Sequence, residues 1–117
     1  MSDKDLANLL AILDSCKRIN KFVEDIWDAE AFYTDQKTFD AVLMNFIVIG
    51  ESVSRLTFEL REQQSHIPWV KIKDFRNMVA HDYFGVDAEE VWQTLNDYLP
   101  FLEKEIKKLL NIGDVIA

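Results

Sequence analysis

The stretch Ala41-Val42-Leu43-Met44-Asn45-Phe46-Ile47-Val48-Ile49-Gly50-Glu51 decides the fold. Over residues 42–49 nearly every side chain is apolar. The wider segment sets Phe39, Val42, Leu43, Phe46, Ile47, Ile49, Val53, Leu56 and Leu60 at helical steps, with no strand-like alternation. A helix apolar on all sides is either central to a bundle or buried against a second subunit. This one is expected to start at Thr34 or Asp35, either of which can cap it, and to join a dimer contact. The uncharged apolar run 41–50 is roughly half the length of a bilayer span. Gly50 inside the helix costs about 1 kcal/mol in propensity and predicts close approach of another backbone.

Outward from this helix the pattern stays helical. Toward the N-terminus, Leu6, Leu9, Leu10, Leu13, Cys16, Ile19, Val23 and Ile26 form an apolar stripe on a helix expected to begin near Asp3. Residues 27–34 are less regular and read as a short helix or a turn. Residues 63–67 form a polar connection, and Pro68 suits the first position of the next helix. That helix is expected to stop near Gly85. Asp87 then caps the last helix, Glu90 completes a capping box, and Val86 and Val91 occupy the staple positions. Val91, Trp92, Leu95, Leu99, Leu102, Ile106 and Leu109 supply its stripe, with Pro100 predicting a break near Asp97. The fold class is therefore all-α: an antiparallel up-and-down bundle of four principal helices in a single domain, residues 1–117.

Composition agrees. In 117 residues, 49% are apolar and only 3 are glycine and 2 proline, which suits one helical core. The N-terminal residues lack the basic start and long apolar run of a secretory signal, and Cys16 is the only cysteine. A soluble, cytoplasmic protein without membrane contact is expected, with Cys16 as a small core residue. A net charge of −8 argues against a simple nucleic-acid binder. Over residues 71–83, however, Lys71, Lys73 and Arg76 outnumber Asp74 and Asp82.

Chemistry concentrates in Phe75-Arg76-Asn77-Met78-Val79-Ala80-His81-Asp82-Tyr83-Phe84-Gly85. On a helix with Ile72, Phe75, Val79 and Tyr83 inward, Arg76 lies on the flank, and His81 points outward beside Asn77. Arg76 and His81 fall about 140° apart at 100° per residue, so they do not pair within one straight helix. Either the helix unwinds near its end, or a second copy brings two arginines and two histidines to one composite groove. An imidazole can take a proton from a ribose 2′-hydroxyl or give one to a leaving oxygen. A guanidinium can bind a phosphate through two parallel hydrogen bonds. Taken without context, Arg76 is as well read as a surface ion pair with Asp74 or Asp82, and His81 as an ordinary polar surface residue.

The pattern Arg76-Asn77-x3-His81-x-Tyr83 resembles the signature of the HEPN superfamily. The wider run from Ile67-Pro68-Trp69 to Val86-Asp87, with Ile49-Gly50-Glu51 and Val91-Trp92, is similar to its HepT branch, the toxins of HEPN/MNT toxin–antitoxin pairs. The resemblance covers almost the whole chain. It implies a helical homodimer with metal-independent endoribonuclease activity and no cofactor, acting as the toxin of a type VII pair. Arg76 and His81 would be catalytic, with Asn77 the polar residue that follows the arginine. It also implies a minimal nucleotidyltransferase (MNT) antitoxin as partner, which would silence the toxin by transferring AMP from ATP to Tyr83. Added phosphates two residues from His81 would block the groove and repel RNA. Lys71 and Lys73 are candidate RNA contacts. Glu51 is expected to line the groove or to pair with Arg55 one turn on.

The alternative is a non-catalytic HEPN adaptor that helps a nucleotidyltransferase hold substrate. The intact Arg-Asn-His-Tyr set argues against it. A di-iron bundle needs Glu-x-x-His pairs, and the sequence has none and only 2 histidines. P-loop and serine-hydrolase signatures are also missing.

Overall fold

Five of the seven α-helices among the described residues start at a short polar side chain that caps them. In the computed structural model, which describes residues 1–111, Ser2 accepts from Asp5 N–H to cap α1 (Asp3–Phe22). Asp28 caps α2 (Ala29–Thr34), and Asp35 caps α3 (Gln36–Ser54) through Thr38 N–H. Thr57 caps α4 (Phe58–Gln63). The α5 helix (Trp69–His81) follows Pro68 and runs into a short 3-10 turn, Tyr83–Gly85. Asp87 caps α6 (Ala88–Asp97), and α7 (Leu99–Leu109) carries Pro100 in its first turn. Residues 112–117 of the expected single domain lie outside the described residues. Among those described there is no strand, and no helix is long and apolar enough to cross a membrane.

The all-helical expectation holds, with more breaks than four principal helices would have. The predicted second long helix, running to Leu60, is two. The break at residues 55–57 comes from Thr57, whose hydroxyl accepts from Leu60 N–H and starts a new helix. Its backbone N–H and hydroxyl also donate to the two oxygens of buried Asp5, at 2.8 and 2.7 Å. The start of α1 is thereby tied to the start of α4. The predicted last helix also divides, at Tyr98, as Pro100 demands. Pro68 is the residue before α5 rather than its first. Asp87 accepts from Glu89 N–H, one position earlier than a capping box places the bond.

The core centres on α3, which packs against α1, α2 and α5, while α7 closes on α1 and α6 on α2. Phe39, Val42, Leu43, Phe46, Ile49 and Val53 of α3 are buried with Leu9, Ile12, Leu13, Cys16 and Ile19 of α1. The expected stripe of α1 is displaced by part of a turn. Ile12 is fully buried, whereas Leu6 and Leu10 are 43% and 47% exposed. Met44 and Val48 of α3 are exposed as well. Phe32 of α2 stacks between Phe39 and Trp92, at 5.1 and 5.4 Å between ring centroids, and fastens α2 to α3 and α6. Trp69 is buried, and its indole N–H donates to the Arg61 and Gln64 carbonyls, tying α5 to the end of α4. His66 in the connection contacts Glu105 Oε1 of α7 at 2.7 Å, and Lys108 donates to the other oxygen at 3.2 Å.

Candidate active site

The site residues stand along α5 and the turn that follows it. Ile72 and Val79 of α5 are buried, and Phe75 meets Phe46 of α3 edge-on at 5.0 Å. These contacts fix the rotation of the helix, so Arg76 faces the flank of α3 and Asn77 and His81 face solvent.

Arg76 is the most constrained of the set. Its stem lies across Gly50, where a Cβ would overlap Arg76 Cβ and Cγ. The close approach expected at Gly50 is therefore real, but its neighbour is a side chain rather than a backbone. The Arg76 guanidinium is ion-paired through Nη2 with Glu51 Oε1, and Nη1 donates to Asn77 Oδ1 at 2.9 Å. Arg76 thus pairs with α3 rather than with Asp74 or Asp82 of its own segment. Glu51 also faces Arg55 one turn on, at 4.0 Å, which is the pairing expected of it. Asn77 acts as an orienting acceptor for the arginine. The Arg76 side chain is 27% exposed, and its Nε is buried without a hydrogen-bond partner.

His81 ends α5. The Asp82 N–H still donates to the Met78 carbonyl, but Asp82 has φ −139 and ψ 54, outside the helical region. His81 is exposed and makes no hydrogen bond or ion pair among the described residues. Because α5 stops here and not at Gly85, Tyr83 leaves the helical register assumed for it. Gly85 permits the tight turn, since the Asp82 carboxylate occupies the space its Cβ would take.

Tyr83 is half-buried, packs against the core, and meets exposed Phe84 edge-on at 5.3 Å. Its hydroxyl donates to Asp40 Oδ1 of α3, and Gln36 Nε2 donates to the same oxygen at 2.7 Å. The hydrogen bond to Asp40, followed by partial burial and the carboxylate charge, raises the Tyr83 pKa. A phenol is already protonated at neutral pH, and these contacts reinforce that state. The two pairs, Glu51 with Arg76 and Asp40 with Tyr83, show that α3 and α5 run antiparallel. Asp40 and Glu51 are eleven residues apart, about three turns, and so share one face of α3. No local pattern around Asp40 marks its link to Tyr83.

The structure does not gather all of the predicted residues. Arg76 and His81 stand on different sides of one helix. Lys71 and Lys73 lie roughly 12–15 Å along α5 from His81, at 1.5 Å per residue. Lys71 lines a separate apolar cleft of about 220 Å³ with Phe46, Phe75, Tyr98 and Leu102. Among the described residues no three His, Cys, Asp or Glu side chains converge as ligands for a metal ion.

A family model described as "Ribonuclease HepT-like" matches residues 12–109. "Putative RNase MJ0125" of Methanocaldococcus jannaschii is 34% identical over 111 residues, covering 94% of this chain and 95% of that protein. "Probable ribonuclease HepT" of Thermococcus cleftensis is 31% identical over 98 residues, covering 84% and 88%. A longer M. jannaschii protein, "Gamma-glutamylcyclotransferase and putative RNase MJ0434", is 33% identical over 99 residues; the match covers 85% of this chain but 44% of that protein. No solved structure gives a significant match.

Proposed function

The chain belongs to the HepT-like ribonuclease family of the HEPN superfamily, and from that premise we propose that it is the toxin of a HEPN/MNT toxin–antitoxin pair, a metal-independent endoribonuclease. The observation that carries the proposal is the contrast between two side chains on α5. Arg76 is braced by Gly50, Glu51 and Asn77, whereas His81 is exposed and unengaged one and a half turns on. A braced guanidinium suits charge stabilisation, and an unengaged imidazole suits proton transfer.

In this reading the RNA 2′-hydroxyl attacks the adjacent phosphorus and the 5′-oxygen leaves. His81 removes the 2′-proton or protonates the leaving oxygen, and Arg76 binds the non-bridging oxygens. The pair lies on two sides of one helix, so the site is completed by a second copy of the chain. The exposed apolar residues Leu6 and Leu10 of α1 and Met44 and Val48 of α3 support such an association, because α1 and α3 pack together. Inactivation is assigned to an MNT antitoxin that adenylylates Tyr83, next to this groove. Lys71 and Lys73 are assigned to RNA phosphates farther along α5.

The test is incubation of the purified protein with RNA in EDTA, beside the His81→Ala variant. Cleavage that survives chelation and disappears in the variant, with helicity and self-association unchanged, supports the proposal. A folded protein that binds a nucleotidyltransferase but never cuts RNA supports the adaptor reading instead.

A further inference from the structure

We propose that Asp40 is the proton acceptor for nucleotidyl transfer onto the Tyr83 hydroxyl, so that the chain supplies the base for its own modification. This inference rests on the assignment of Tyr83 as the modified residue, and it adds a residue on a different helix, 43 positions away in sequence.

Three observations support it. The Tyr83 hydroxyl already donates its proton to Asp40 Oδ1, so the acceptor is in place before any donor nucleotide arrives. Gln36 donates to the same oxygen from one turn earlier on α3, fixing the carboxylate. The phenol is otherwise a poor nucleophile here. A phenol is scarcely ionised at neutral pH and Asp40 raises the Tyr83 pKa further, so attack requires removal of the proton as the new bond forms. An aspartate that accepts the proton of an attacking hydroxyl is the arrangement protein kinases use for phosphoryl transfer.

The step balances. Tyr83 Oη forms a bond to the α-phosphorus of a nucleoside triphosphate as the bond from that phosphorus to the bridging oxygen breaks. Pyrophosphate leaves with the electron pair, and the hydroxyl proton passes to Asp40 Oδ1. No electron acceptor is required.

A pre-activated donor, adenosine 5′-phosphorimidazolide with Mg²⁺, tests this without any partner enzyme, because imidazole then replaces pyrophosphate as the leaving group. Peptide mass spectrometry reads AMP on Tyr83 and, as an internal reference, on exposed Tyr33. The expected result is labelling of Tyr83 at least about tenfold faster than Tyr33, falling to the Tyr33 level in Asp40→Asn. Asparagine keeps an acceptor oxygen for the phenol but is a far weaker base, so a purely structural Asp40 would leave Asp40→Asn labelled like wild type. That result, or a wild-type Tyr83 no faster than Tyr33, overturns the proposal. Melting curves and an Asp40→Glu variant, expected to recover part of the rate, separate loss of the base from loss of the fold. A chain that labels as expected here, yet is never adenylylated by a nucleotidyltransferase with ATP, contradicts the antitoxin assignment while supporting Asp40 as the base.

Discussion

Arg76 of α5 is ion-paired with Glu51 of α3, directly beside the one α3 residue, Gly50, that leaves room for its stem. The proposed phosphate-binding group is therefore set by a helix–helix contact and not by the motif alone. Changes on α3 should affect activity as strongly as changes within the motif.

Gly50→Ala isolates that contact. The added methyl would overlap Arg76 Cβ and Cγ, which cannot swing away as a side-chain tip can. Overpacking costs about 1–3 kcal/mol, and alanine returns about 1 kcal/mol of helix propensity. A net loss of about 0–2 kcal/mol on chemical denaturation is expected, with a fall in RNA cleavage larger than stability explains. Unchanged cleavage would show that the position of the arginine is not critical.

Arg76→Lys keeps the charge but loses the planar fork that reaches Glu51, Asn77 and a phosphate together. Cleavage should fall by about 10²-fold while the melting temperature barely moves. Wild-type rates would remove the bidentate role.

Acid should weaken the fold through Asp5 and Glu105. Burial pushes the Asp5 pKa up, but its hydrogen bonds from Thr57 and Ser2 outweigh this and leave it below the ordinary 3.8. Hydrogen bonds from His66 and Lys108 lower Glu105 from 4.5. Both folded-state values lie below the unfolded ones, so the unfolded chain binds more protons in this range. The stabilisation is complete above these ordinary values and is lost as pH falls through the folded-state ones. Urea midpoints should therefore drop as pH falls below about 4.5. Asp5→Asn should be less stable at neutral pH, where a hydrogen bond to a charged group is worth about 1.5–3 kcal/mol. It should also show a shallower acid limb; an unchanged limb would contradict the Asp5 contribution.

Cys16 is fully buried, and burial together with the charge of Glu103 pushes its thiol up to about 12. A thiol reagent at pH 8 should label it only as the protein unfolds, with labelling tracking the urea transition. Rapid labelling of the native protein would contradict this burial.

The starts of α1, α3 and α6 and the motif were legible in the sequence because both are local. Ser and Asp caps act within three residues, and Arg76, Asn77, His81 and Tyr83 lie within eight. The choice of buried face was less legible. Leu6 and Leu10 keep the same three- and four-residue steps as Ile12 and Ile19, and only the position of α3 decides between them. The break before Thr57 was hidden because Val53, Leu56 and Leu60 keep helical spacing across it, and all three are buried. Asp5 with Thr57, Glu51 with Arg76 and Asp40 with Tyr83 are pairs 52, 25 and 43 residues apart, formed by packing alone. The site's second row of residues therefore emerges only from the fold.

The most direct test of the central claim, 2′-hydroxyl attack assisted by His81 and Arg76, is end-group analysis of RNA fragments made by the wild-type protein in EDTA. The expected products carry 2′,3′-cyclic phosphate ends paired with 5′-hydroxyl ends, and an all-2′-deoxy substrate stays uncut. Fragments ending in 3′-hydroxyl and 5′-phosphate would show attack by water and contradict it.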